Sequence, residues 1–250
     1  MASSFSFPSI VLFPDYSLRL GQPSDALFLG RGVLEAERDT HGRGIWDCYC
    51  GFGSRADDQP PVTEESSALV TDALAYVVAN STPSCLYHYT HFIVVEHIPS
   101  KQPVACAAFF LYPDSDILDT LNFISVHMQQ THGWSKQQTD AAAARLDFLS
   151  SSYPSDVDFD GRWMIEGVYV HPDHRRLGLA SKVTAAAVSV GRGAATECLI
   201  SCAVKNVTAR TCYEKLGFVQ KGEEPHSDEC FLAIGCTGFI YLSKLFALNP

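Results

Sequence analysis

VHPDHRRLGLA, residues 170–180, is the stretch on which the fold turns. The run before it, Trp163 to Val170, has the aromatic and β-branched content of a strand. After it, Leu179, Val183, Ala187 and Val190 recur at helical spacing, and Gly191 and Gly193 close that helix. Between strand and helix lies a tight basic turn. In such a unit the turn's backbone N–H groups and the unpaired donors of the helix N-terminus converge on one point, where no carbonyl competes. That point suits an anion, a pyrophosphate in particular. Gly178 has no Cβ and leaves the backbone open to phosphate. Ala180 keeps the next turn slim, and Arg175 and Arg176 either add charge-assisted contacts or lie along the surface. The pattern is neither the GxGxxG of a dinucleotide fold nor a P-loop. Taken alone, it is equally a well-capped helix with an accidental glycine.

One crossover downstream stands NVTARTCYEKLGF, residues 206–218. Cys198 to Val204 precedes it as a short buried strand. Ala209, Cys212, Tyr213 and Leu216 mark a helix that stops at Gly217. Together, the turn and this segment resemble the GNAT superfamily of N-acetyltransferases, in its [RQ]xxGx[GA] motif and its later Asn…Ala…Tyr…LGF pattern. Ile165 to Val170, followed by His171-Pro172, is similar to that family's fourth strand. The three segments agree in order and spacing from Trp163 to Phe218.

The resemblance implies an acyltransferase with an acetyl-CoA site. The backbone of Val168, Tyr169 and Val170 would hydrogen-bond the pantetheine arm like an added strand. The N–H groups from Arg175 or Arg176 through Leu177, Gly178, Leu179 and Ala180 would hold the pyrophosphate. Asn206 would lie beside the pantetheine and Tyr213 near the thioester sulfur; seven residues apart, the two can share a helix face. The oxyanion of the tetrahedral intermediate would meet a backbone N–H near Val168.

Aminolysis of a thioester needs a neutral amine. An alkyl amine of pKa about 10.4 is neutral at pH 7 at a cost of about 4.6 kcal/mol, so a base is expected. Glu166 is the candidate. Strict alternation puts Glu166, Val168 and Val170 on one side of the strand and Ile165, Gly167 and Tyr169 on the other. A carboxylate in an apolar strand either finds a partner or has a raised pKa. The resemblance implies a base there; orientation of the acceptor, or pairing with an Arg or Lys, is the alternative. Tyr213 is the candidate acid toward the CoA thiolate, or else a packed aromatic whose hydroxyl bonds the cofactor. With a thiol pKa near 8.5 and a phenol near 10, full proton transfer is uphill by about 2 kcal/mol. No cysteine is visibly paired with a histidine, which ranks direct transfer above a cysteine intermediate.

Outward from this core, Tyr16 to Leu20 reads as a strand and about Asp25 to Arg38 as a helix that Gly30 and Gly32 weaken. Asp39 to Pro61, glycine-rich and containing Trp46, reads as a long loop. Thr63 opens a second helix with Leu69, Ala73, Tyr76 and Val77 on one face. His91–His97 and Val104–Tyr112 form a hairpin. Residues 113–160, with Trp134, are a polar insertion, helix-prone around Ala141 to Phe148. Phe218–Lys221 and about Cys230–Leu245 read as a terminal hairpin. The expectation is one α/β domain over residues 1–250. It has a mixed, mostly antiparallel central sheet flanked by helices, one parallel crossover, and an insertion between the third and fourth strands.

Bulk properties narrow the rest. The 250 residues carry 18 Lys plus Arg against 28 Asp plus Glu, a net charge of -10. That argues against nucleic acid as a partner and fits a cationic acceptor, although solubility alone would explain it. No apolar run is long enough for a membrane span, and Pro8 and Pro14 interrupt an N-terminus without a basic region. No membrane partner is expected, and the cytoplasm is the expected compartment. Nine scattered cysteines suggest no disulfide framework. His171 to His174 is more simply an exposed turn than a metal half-site, so no metal is expected. The two long segments favour a small-molecule amine as acceptor. A protein or peptide acceptor comes second, and a non-catalytic acyl-CoA-binding module third. Monomer and homodimer both stay open.

Overall fold

The computed structural model describes residues 13–38, 42–53, 59–112, 117–151 and 158–246. Seven strands, β1 (Tyr16–Leu20), β2 (Phe92–His97), β3 (Gln102–Leu111), β4 (Trp163–Val170), β5 (Glu197–Ala203), β6 (Val219–Pro225) and β7 (Gly238–Leu245), form one sheet. Their order across it is β1-β2-β3-β4-β5-β7-β6. Every neighbouring pair is antiparallel except β4 and β5. The helices are α1 (Ala26–Ala36), α2 (Ile45–Tyr49), α3 (Glu64–Asn80), α4 (Ile117–His132), α5 (Lys136–Ser151), α6 (Leu179–Gly191), α7 (Val207–Lys215) and α8 (Asp228–Ile234). This is the expected mixed, mostly antiparallel α/β architecture, with α4 and α5 inserted between the third and fourth strands.

Alternation along the strands builds two cores. One face carries Phe92, Val94, Cys106, Phe110 and Met164, covered by Leu29 and Val33 of α1 and Leu74 and Val77 of α3. The other carries Ile93, Val95, Phe109 and Ile165, covered by Leu179, Val183 and Ala187 of α6. Each buried Leu, Val or Ile contributes roughly 1.5–3 kcal/mol relative to exposure. Trp163 stacks on Phe109 at 5.3 Å and donates from its indole N–H to the Ala187 carbonyl at 3.0 Å, locking α6 to the sheet. Among the described residues, no helix is long and apolar enough to cross a membrane.

Four local expectations need correction. Gly30 and Gly32 do not mark a weak helix. A Cβ on Gly30 would meet the Ala75 nitrogen at 2.6 Å, and one on Gly32 the Cys106 sulfur at 2.8 Å, so both let α1 press against its neighbours. The 39–61 loop contains α2, although residues 39–41 and 54–58 lie outside the described ones. There the fully buried Asp47 takes a two-pronged ion pair from Arg38, at 2.6 and 2.8 Å, and accepts from the Gly44 N–H. The insertion is two helices rather than one. In α4, Leu121, Ile124 and Met128 form a buried face at helical spacing. Finally, the segment from Cys230 opens as a helix, capped by the Ser227 hydroxyl and ended by left-handed Gly235; its strand begins at Gly238.

Candidate active site

The parallel pair β4–β5 is joined only over Trp163–Ile165 and Cys198–Ile200, and beyond that the two strands part. A bulge lies just past the last paired residue. Cys106 faces Tyr169 while Ala108 faces Glu166, so Ala107 stands opposite both Gly167 and Val168. Gly167 has φ +56, a left-handed backbone that favours glycine. Among the described residues, the β4 edge from Glu166 to Val170 has no strand partner toward β5. It is free to pair with an extended ligand.

The bulge overturns strict alternation. Met164 and Tyr169 pack in the core under α1 and α3. Ile165, Val168 and Val170 pack toward α6. Glu166 follows the first group and therefore lies on the opposite side from Val168 and Val170, because one extra residue inverts everything after it. Its hydroxyl partner confirms the side: Tyr87, a member of that same core, donates to Glu166 Oε2 at 3.2 Å.

The opening between the strands is a cavity of about 90 Å³. Glu166, Gly167 and Val168 line one wall, Ser201, Cys202 and Ala203 the other, and Asn206 together with Ala209 and Tyr213 of α7 closes one end. Glu166, Asn206 and Tyr213, widely separated in sequence, thus reach one cleft. Asn206 also caps α7, its Oδ1 accepting from the Ala209 N–H at 3.0 Å. Trp46 and Trp134, from the two long segments, belong to the α1–α3 side. Trp46 is buried against Tyr87, with ring centroids 5.8 Å apart, and Trp134 packs partly buried on the same core.

Sequence reasoning missed Glu37. It caps the C-terminus of α1 and lines the cavity with Glu166. Burial pushes both carboxyls above the usual carboxylate range; the Glu166 charge raises Glu37 further, while the Tyr87 hydroxyl holds Glu166 partly back. Such a pair gives up its protons in two steps. Among the described residues, no Arg or Lys pairs with Glu166. An acid placed where the α1 dipole is negative is locally unfavourable, and that conflict was the available signal. Tyr213 is buried, and burial above all raises its phenol. Cys202, the thiol in the cleft, is pushed up to about 11 by burial and is a poor nucleophile at neutral pH.

After β4, Pro172–His174 makes a single 3-10 turn, and the Tyr16 hydroxyl lies 3.0 Å from His174 Nδ1. Arg176 and Gly178 both have left-handed φ, +64 and +72. The first helical bond of α6 is Lys182 N–H to Gly178 carbonyl, at 3.1 Å, which leaves the N–H groups of Leu179 and Ala180 without helical acceptors. Gly178 is exposed, and a Cβ there would meet nothing within 4 Å. Arg175 and Leu177 are also exposed; Arg175 donates to the Val170 carbonyl at 3.0 Å. The turn therefore presents open backbone donors at the end of the strand whose edge lies free.

Residues 64–218 match the sequence profile of the Acetyltransferase (GNAT) family. No curated protein matches the chain by sequence. A solved acetyltransferase structure is similar in fold with a TM-score of 0.60 at 18% identity, over 92% of this chain and 98% of its own. An N-acetyltransferase from Staphylococcus aureus Mu50 aligns with a TM-score of 0.58 at 14% identity, over 91% and 100%. With more than half of its length matched and the fold in agreement, the chain belongs to the Acetyltransferase (GNAT) family and is an acyltransferase that uses acetyl-CoA.

Proposed function

We propose that this protein moves an acetyl group from acetyl-CoA to a primary amine of a small molecule by direct attack, with Glu166 as base. The observation that carries this reading is the buried pair of carboxyls, Glu166 and Glu37, in the cleft where β4 and β5 part, with no Arg or Lys paired to Glu166 among the described residues. Once the first of its two protons is lost, such a pair attracts a cationic amine. Once it is bound, its proton passes to a carboxylate whose raised pKa narrows the gap to the amine. The neutral nitrogen then attacks the thioester carbonyl, and the oxyanion is met by a backbone N–H near Val168. The CoA arm lies along the free edge of Val168, Tyr169 and Val170, with its pyrophosphate on the N–H groups from Arg175 to Ala180. Asn206 borders the arm. Tyr213 sits at the sulfur as candidate acid; its raised pKa makes full transfer harder, so it donates a hydrogen bond to the departing thiolate.

Calorimetric titration of acetyl-CoA and CoA tests the donor half, using wild type, Gly178→Ala and Gly178→Glu. The expected result is micromolar binding, weakened modestly by Ala through backbone strain and abolished by Glu, whose carboxylate repels the pyrophosphate. No binding by wild type would overturn the acetyl-CoA site. Thiol release against small amines and against basic peptides then tests the acceptor. Turnover of peptides alone would replace the small-molecule reading, and tight CoA binding with no turnover would point to a non-catalytic module.

A further inference from the structure

Away from the cleft, α3 and α4 pack together, and at one end of their contact Asp72 meets His127 and His132. A single oxygen, Asp72 Oδ2, lies 2.8 Å from His127 Nε2 and 3.0 Å from His132 Nε2. Among the described residues, this is the one group of three His, Cys, Asp or Glu side chains whose donor atoms all lie within 4.8 Å of one another. Acyl transfer uses none of them.

The group has features that a surface ion pair does not require. The two imidazole planes stand at 78° with centroids 5.5 Å apart, so their Nε2 atoms converge from different directions. Tyr76 stacks on His127 at 4.2 Å and 16°, which fixes that ring. The Thr131 hydroxyl is 3.3 Å from His127 Nδ1, placed to accept its N–H once Nε2 is given to another partner. That is the outer-shell contact a metal-bound imidazole uses. His127 is buried, whereas the Asp72 and His132 side chains are 51% and 26% exposed, so one ligand is anchored and two face an approaching ion.

We propose that Asp72, His127 and His132 bind a divalent transition-metal ion, Zn²⁺ being the best match. The ligands are the carboxylate and both Nε2 atoms, with water completing the shell. Two imidazoles and a carboxylate suit zinc rather than magnesium or calcium, and three protein ligands leave an open position. A tetrahedral ion about 2.0–2.1 Å from each ligand needs donors about 3.3–3.4 Å apart, a few tenths of an ångström beyond the two present contacts. Small rotations of exposed His132 and Asp72 supply that. Each neutral ring keeps one proton, which moves through solvent from Nε2 to Nδ1 as the ion enters. The ion would pin the first helix of the insertion to α3. The same α4 places Ser125 Oγ 2.9 Å from the Tyr49 hydroxyl, next to the aromatic group that backs Tyr87 and Glu166.

The test is calorimetric titration of Zn²⁺ into chelator-stripped, reduced full-length protein, repeated with Asp72→Asn and His132→Ala. Both positions lie at the surface, and matching far-UV circular dichroism before metal addition checks that the variants fold. One ion per chain is expected, with each variant weakening binding by about tenfold or more. Zn²⁺ should also raise the melting midpoint of wild type and not of the variants. Cobalt-loaded protein should absorb in the visible without thiolate-to-cobalt charge-transfer bands. No saturable binding would overturn the proposal. So would binding that is equal in the variants and carries thiolate bands, which would assign the ion to cysteines.

Discussion

Glu166 occupies an apolar strand with one hydroxyl as its partner, a placement that raises its pKa and costs stability. If that cost serves proton removal, Glu166→Gln should lower kcat at pH 7 by about 10²–10⁴-fold. The residual rate should climb with each unit of pH as the free amine loses its own proton, while wild type flattens once Glu166 is ionised. A variant rate parallel to wild type at every pH would reduce Glu166 to an orienting group. Tyr213→Phe should slow turnover yet leave it measurable, because a CoA thiolate can depart without a proton. The placement of Glu166, Asn206 and Tyr213 about one cleft, and of Gly178 before α6, was legible because each falls within a short linear pattern tied to a strand or a helix. Tyr87 was not, and Glu37 showed only as an acid at the unfavourable end of α1; they arrive from the end of α1 and the turn before β2, and only the folded chain brings them to Glu166. The same holds for Asp72, His127 and His132, which are close only because α3 and α4 pack together.

Among elements, β4 matters most. Its strand character is plain from composition, but its bulge is not, because nothing in one strand tells which residue its partner will leave unpaired. Strict alternation therefore misplaced Glu166 relative to Val168. Only α5 was read within the insertion, around Ala141 to Phe148; the helical spacing of Ile117, Leu121, Ile124 and Met128 in α4 was overlooked, and α8 was read as strand because Cys230 to Ile234 is apolar without a clear period. The element that reports on the bulged side is the turn carrying Tyr87, whose hydroxyl stabilises the Glu166 carboxylate. Tyr87→Phe removes that hydrogen bond and raises the Glu166 pKa further. The acid limb of the pH–kcat profile should shift upward, with the plateau at high pH largely kept. A uniform fall in kcat with an unmoved limb would mean that Tyr87 only packs against Trp46.

At the scale of the whole molecule, the carboxylate pair sets a pH dependence of stability. Glu37 and Glu166 both have folded pKa values raised above their unfolded ones, so the folded protein holds protons that the unfolded chain releases. Their contribution is fully present below the unfolded glutamate value and is lost as pH rises through the folded values. Above that range, two of the negative charges counted in the chain's formal net charge of -10 are buried together in one cleft. Glu37→Gln keeps the shape and removes one of them. It should raise the unfolding free energy at pH 8 by an amount on the order of 1 kcal/mol, since each unit of pKa shift is worth about 1.4 kcal/mol. That gain should shrink to nothing below about pH 4, where the wild-type residue is already neutral in both states. Urea melts of the two proteins from pH 4 to pH 9 measure it directly. A gain independent of pH would attribute the effect to packing, and no gain at pH 8 would mean that Glu37 ionises without penalty and is not strained against Glu166.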